Sequence, residues 1–339
     1  MKRLWLFSVL WIAASGLAAT AGPAPEDQKI ESLLSRIDRS SEKGDLGTVQ
    51  NLREKLADYA AGTGRYDLAA RQYELLLATR PGRKERVRLF TRLGQMRMAL
   101  NDYGRAIGAF DDALHDSPKD WDANLARARA FSAADINQRA IESYLRCIHL
   151  RPKEAAPYQE LAAVYERQGF PGKALANYQQ ALAREPKPEI YLNMADCYVH
   201  LKNFTQAVEV LTQAKAHLPN ADYDVRLGEI YMRLGDLTHA GAAWEDALKA
   251  DPKRDDVRLK LVLVYDHLHR PAETNQLFRE LLAAYPRSPL IHYLHALVFL
   301  ERGERAAARE EALQVEQLSP TELVAHYNDL LISELGKSL

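Results

Sequence analysis

Cysteine is nearly absent: Cys147 and Cys197 are the two found in 339 residues. A disulfide-stapled scaffold is excluded on that count, and so is a cysteine-rich zinc module. Both cysteines fall in apolar stretches of separate repeats, so they read as small buried hydrophobes and not as a staple. Charge of one sign is missing as well. Lys and Arg number 45 against 46 Asp and Glu, a net charge of −1. A nucleic-acid partner calls for a basic excess that this chain lacks. Motifs of chemistry are missing too. There is no His-Glu-x-x-His pair, no Cys-x-x-Cys, no phosphate-cradling glycine loop and no Gly-x-Ser-x-Gly nucleophile turn. No cofactor, metal site or catalytic group is expected, and a binding role is expected over an enzymatic one. Gly and Pro are modest and scattered, which argues against low-complexity linkers. The abundance of Ala, Leu, Arg and Glu favours helices.

Long hydrophobic runs are also scarce, and the single exception lies at the start. Lys2 and Arg3 precede an apolar run over residues 4–14, broken only by Ser8. Ala19-Thr20-Ala21 then offers small residues at the spacing of a cleavage site. This is the three-part pattern of a secretory signal peptide, expected over residues 1–21. The run is short for a span, which needs about 20 residues. The expected location is the periplasm, after cleavage following Ala21. The alternative is an uncleaved signal that tethers the body to the inner membrane. No cysteine follows the run, so a lipid-modified start is not expected.

A period governs what remains. Prolines recur at 81, 118, 152, 186, 219, 252, 286 and 320, with gaps of 37, 34, 34, 33, 33, 34 and 34 residues. The positions between them agree. Tyr158, Leu161-Ala162, Tyr165, Gly169, Ala174, Tyr178, Ala181 and Pro186 run in the same order as Leu227-Gly228, Tyr231, Gly235, Ala240, Trp244, Ala247 and Pro252. Phe90, Leu93-Gly94, Ala106, Phe110, Ala113 and Pro118 form another copy. Arg127, Thr274 and His295 depart from it, standing where Leu, Ala and Leu are usual. The pattern resembles the tetratricopeptide repeat, a 34-residue helix-turn-helix. The resemblance implies an all-α, right-handed superhelical solenoid of about eight helix pairs. One pair cannot bury its own apolar face, so neighbours must stack. Small residues such as Ala162 and Ala174 let helices approach, and large ones such as Tyr178 fill the space.

The expected organisation is a leader and capping helix over 22–49, repeats over 50–320 and a C-terminal capping helix over 321–339. Ile30, Leu33, Leu34 and Ile37 mark the first cap by their helical spacing. Leu323, Val324, Tyr327, Leu330 and Leu331 mark the second. His267, His269, His292 and His295 are the nearest approach to a metal cluster. The repeat geometry separates the first two from the last two, and they read as ordinary histidines.

By the same resemblance, the first helices of successive repeats line a groove. The Lys and Asn pair with which some relatives clamp a chain terminus is missing from the matching positions. The expected groove instead changes along its length. It starts polar and charged at Glu54, Asp58, Thr91 and Gln95. It becomes apolar at Leu192, Val225, Met232, Leu259, Leu263, Tyr293 and Leu297, a slot for an amphipathic helix or extended peptide. For the last repeat, burial under the final helix is an equal reading. A second candidate is the basic joint of Arg80, Arg83, Lys84, Arg86, Arg88 and Arg92, suited to an acidic partner or anionic lipid head groups. The expected function is a protein-binding scaffold for envelope assembly or export. The alternative is a carbohydrate- or peptidoglycan-binding solenoid in polysaccharide export.

Overall fold

The computed structural model describes residues 25–318 and 320–336; the expected signal segment lies outside them. The described residues form eighteen helices and no strand. None of these helices is long and apolar enough to cross a membrane. The chain divides into two compact units between Gly169 and Phe170. The N-terminal unit holds α1 (Pro25–Glu42), α2 (Leu46–Gly62), α3 (Tyr66–Ala78), α4 (Arg83–Ala99), α5 (Tyr103–Asp116), α6 (Trp121–Ala133), α7 (Asn137–Leu150) and α8 (Ala156–Arg167). The C-terminal unit holds α9 (Pro171–Leu182), α10 (Pro188–His200), α11 (Phe204–His217), α12 (Ala221–Leu234), α13 (Leu237–Ala250) and α14 (Asp255–His267). It continues with α15 (Pro271–Ala284), α16 (Pro289–Glu301), α17 (Arg305–Gln317) and α18 (Glu322–Gly336). Helices α2–α3, α4–α5 and α6–α7 of the first unit, and α10–α11, α12–α13, α14–α15 and α16–α17 of the second, are expected pairs.

Each pair turns at one left-handed residue. Residues 64, 101, 135, 169, 202, 235, 269 and 303 all have φ between 53° and 76°. The residue after the turn closes it, as when Asp236 N–H donates to the Tyr231 carbonyl at 2.9 Å and Asn203 N–H to that of Tyr198 at 2.8 Å. This backbone bond satisfies a helix-end carbonyl. Gly235 takes the conformation without steric cost. Asn101, Asp135, Lys202 and His269 do it with a side chain attached, so half of the turns were invisible as glycines.

Within a pair, close approach needs a missing side chain. A Cβ at Gly228 would overlap the indole of Trp244, and one at Gly94 would overlap the ring of Phe110. Ala128 of α6 and Ala195 of α10 stand in the same place and are fully buried. The departures are accommodated individually. Thr274 is buried, and its hydroxyl donates to the Arg270 carbonyl at 2.9 Å. Arg127 pairs with Asp111 at 2.7 Å. Cys147 and Cys197 are fully buried and unbridged. Burial first, and Glu160 second, push the Cys147 thiol up to about 11, so it stays protonated and unreactive.

The caps behave differently. Helix α1 buries Ile30, Leu33 and Ile37. Helix α18 buries Leu331 and Leu335 but leaves Leu323, Tyr327 and Leu330 exposed, against the uniform packing expected from spacing.

Two glycines give opposite expectations. Gly228→Ala forces the Trp244 indole to move and lowers stability by about 1–3 kcal/mol. Gly108 is exposed within α5 with nothing near its missing Cβ. Gly108→Ala raises stability by about 0.5–1 kcal/mol. Denaturant unfolding followed by circular dichroism measures both.

Candidate functional site

In the C-terminal unit, Leu259, Leu263 and Leu297 meet. With Val262, Leu294 and Val298 they line a cleft of about 220 Å³ between α14 and α16. Leu263 is 50% exposed there, a large apolar side chain open to solvent. Lys260, Asp266, His267 and Glu301 form the polar edge. Arg302 donates to Asp266 at 2.8 Å, which fixes that edge against the next turn.

The other expected groove residues do not join this cleft. Val225 is only 7% exposed and packs in the core with Trp244, Val257 and Leu261, so it is no groove residue. Its carbonyl accepts the Trp244 indole N–H at 3.1 Å. Leu192 is half-buried against the cluster that contains Tyr223 and Leu227. Met232 is exposed near the end of α12, outside the cleft lining. Tyr293 packs with Leu297 and Leu300 against a cluster that includes Leu331 and Leu335, so the last helix covers it.

The apolar stripe expected along α10, α12 and α14 is interrupted by charge. Arg226 lies 3.3 Å from Asp196 and 3.0 Å from Glu229, and Lys260 reaches Glu229 at 2.6 Å. This ladder ties three first helices together, and the α14–α16 end beyond it is apolar. Asp196, Arg226, Glu229 and Lys260 are spread over three helices, so spacing alone did not show that they would pair.

The N-terminal unit has a larger groove, of about 1310 Å³, between α4, α6 and the start of α8. Arg83, Lys84, Arg88 and Arg92 of the basic joint line it, together with Trp121 and Arg129. Arg86 turns away: Nε and Nη2 donate to the two carboxylate oxygens of Asp116, each at 2.5 Å. These bonds hold the Asp116 carboxyl below its ordinary value. Arg80 adopts a left-handed conformation in the preceding loop and does not line the groove. Arg88 pairs with Glu54, and Arg129 with Glu160 at 2.6 Å.

Among the described residues, no group of three or more His, Cys, Asp or Glu side chains is placed to hold a metal ion. His267 and His269 stay with α14 and its turn, as expected. His292 and His295 instead share one carboxylate: their Nδ1 atoms lie 2.6 and 2.9 Å from the two oxygens of Glu311. His295 is also stacked between Phe278 and Phe299, with ring centroids at 4.1 and 4.2 Å. The partner carboxylate sits in α17, more than a dozen residues away, so spacing alone did not reveal it.

Models of the tetratricopeptide repeat match residues 91–157, 166–227, 225–254 and 259–322. The chain belongs to the tetratricopeptide-repeat family. It is similar to the BBSome complex member BBS4 of Bos taurus, at 19% identity over 66% of this chain and 44% of that protein. It is also similar to tetratricopeptide repeat protein 8 of Caenorhabditis elegans, at 23% identity over 51% of this chain and 33% of that protein. The repeat chain thus spans less than half of either relative. A solved PilF structure from Pseudomonas aeruginosa aligns over 66% of this chain and 99% of its own, with 16% identity and a TM-score of 0.47.

Glu311 supplies a prediction with a defined sign. Burial works to raise its carboxyl, but the hydrogen bonds from His295 and His292 outweigh it and hold the group below its ordinary 4.5. A depressed folded value stabilises the fold above the ordinary carboxylate range and is lost as pH falls through the folded value. Glu311→Gln is expected to cost about 1–3 kcal/mol at neutral pH. The gap from the parent should close as pH falls below 4.5. Thermal melts of both proteins across the acidic range measure it.

Proposed function

We propose that this chain is a scaffold that grips an amphipathic or extended apolar segment of a protein partner in the α14–α16 cleft. The observation that carries the reading is the solvent-open convergence of Leu259, Leu263, Leu294 and Leu297. A segment with apolar residues on one face buries them there, while Lys260 and Glu301 meet its polar flanks. The repeat architecture supports holding over catalysis: it supplies rigid helices and grooves, and the Cys147 thiol is buried beyond reach of a substrate. The location we propose is the periplasm, within a complex for envelope assembly or export, supported by the signal pattern over residues 1–21.

A fluorescein-labelled amphipathic helical peptide with leucines on one face tests the site by anisotropy. Leu259→Glu with Leu263→Glu should weaken binding about ten- to hundredfold, the loss of one or two apolar anchors. Circular dichroism should show unchanged helicity, since Leu263 is exposed and Leu259 half-buried. Equal affinity for parent and variant would sink the site. The location is tested separately by fractionating expressing cells and measuring the N-terminus of the product. A periplasmic chain beginning at Gly22 supports it; a cytosolic chain beginning at Met1 refutes it.

A further inference from the structure

We propose that the groove of the N-terminal unit binds an acidic, extended segment of a protein partner, its carboxylates on Lys84 and Arg92 and an apolar side chain against the half-buried Trp121. This rests on the reading that the chain holds protein segments, but it concerns a second site with different chemistry.

Size is the first argument. At about 1310 Å³ the groove exceeds the roughly 300–1,000 Å³ typical of small-molecule sites. It has room for a stretch of chain.

Charge is the second. The lining carries five cations, Arg83, Lys84, Arg88, Arg92 and Arg129, against three carboxylates, Glu85, Asp120 and Asp122. The whole chain is at −1, so the excess is local. The carboxylates are also less available than their number suggests. Asp120 caps α6, accepting the Ala123 N–H at 2.8 Å, and Glu85 lies 3.7 Å from Arg88. Arg88 and Arg129 are engaged with Glu54 and Glu160. Lys84 and Arg92 are exposed and make no ion pair among the described residues. They are the cations left for an incoming ligand.

The start of α4 is the third. Gly82 provides no side-chain cap, and Arg83, Lys84 and Arg86 crowd the first turn around a single acid, Glu85. Cations there oppose the helix dipole, at about 0.3–1 kcal/mol each. Asp116 compensates Arg83 through its carbonyl at 2.6 Å and Arg86 through its carboxylate. Among the described residues, Lys84 has no such hydrogen-bonded or ion-paired compensation. A ligand carboxylate beside it is favoured by both the ammonium group and the uncapped amides.

The geometry selects among anionic partners. These cations face a recess between helices, whereas a flat bilayer meets groups that stand out from a surface. A nucleic-acid backbone needs a continuous cationic track, and here three carboxylates interrupt it. An acidic peptide needs only two or three pairings, and an apolar residue beside them gains from the Trp121 ring.

The test uses the full chain and two short fluorescein-labelled peptides. One alternates Glu and Asp around a central Leu; the other replaces every acid by Gln or Asn. The acidic peptide should bind at least about tenfold tighter at low salt, and the difference should shrink as salt rises. Lys84→Glu with Arg92→Glu should abolish the preference, and the milder Lys84→Gln with Arg92→Gln should reduce it. Circular dichroism monitors the fold of each. The Leu259→Glu, Leu263→Glu protein should bind the acidic peptide as the parent does. Leucine-peptide binding that is unchanged in this variant, with the acidic peptide still bound, would therefore fail the other site and leave this one standing. Equal affinity for the two peptides, no binding of the acidic one, or indifference to the charge changes overturns the proposal. So does stronger binding to phosphatidylserine vesicles than to the acidic peptide.

Discussion

Everything in this structure depends on how closely two helices of a pair can approach. Gly228 beneath the Trp244 indole and Gly94 beneath the Phe110 ring show the constraint at its tightest. A large side chain on the second helix fills the space left by a missing one on the first. That contact brings the helices together, and the left-handed residue between them sets the turn. Each pair then presents an apolar face it cannot cover alone, so the next pair must dock against it. The grooves are a consequence of this stacking. First helices such as α4 and α6, or α14 and α16, stand beside one another and leave a recess between them.

The two recesses differ because their edges use charge differently. In the C-terminal unit, Asp196, Arg226, Glu229 and Lys260 neutralise one another across α10, α12 and α14. The ladder spends its charge on itself, and the unmatched surface beyond it is apolar. In the N-terminal unit, Arg88 and Arg129 find carboxylates while Lys84 and Arg92 do not. The charge that remains faces the groove. A scaffold with one apolar cleft and one basic groove can hold two segments of contrasting composition, which a uniform groove would not distinguish.

Buried polar groups follow the same accounting. Glu311 is tolerated because two imidazoles reach it, and Thr274 because its hydroxyl returns to its own helix. Asn328, a buried residue of α18, donates to the Ala312 carbonyl at 2.9 Å and ties the last helix to the last pair. On the exposed face of that helix, at Leu323, Tyr327 and Leu330, apolar spacing did not become core.

The sequence by itself determined the all-helical repeat architecture and most of its core. The reason is that repeat packing is local: each glycine, alanine or tyrosine of the motif answers to a neighbour at a fixed offset. It also determined that the basic joint lies at the start of α4 and that Leu259, Leu263 and Leu297 belong to first helices. It did not determine which of those residues face solvent. Val225 and Leu259 hold the same repeat position, yet one is in the core and the other lines a cleft. Arg86 and Arg88 are two apart, yet one is turned to Asp116 and the other lines the groove. Those outcomes depend on side chains some thirty residues away, such as Asp116 and Glu54, and on how far neighbouring helices part. Only the packed tertiary structure decides which carboxylate reaches which cation and which leucine is left uncovered.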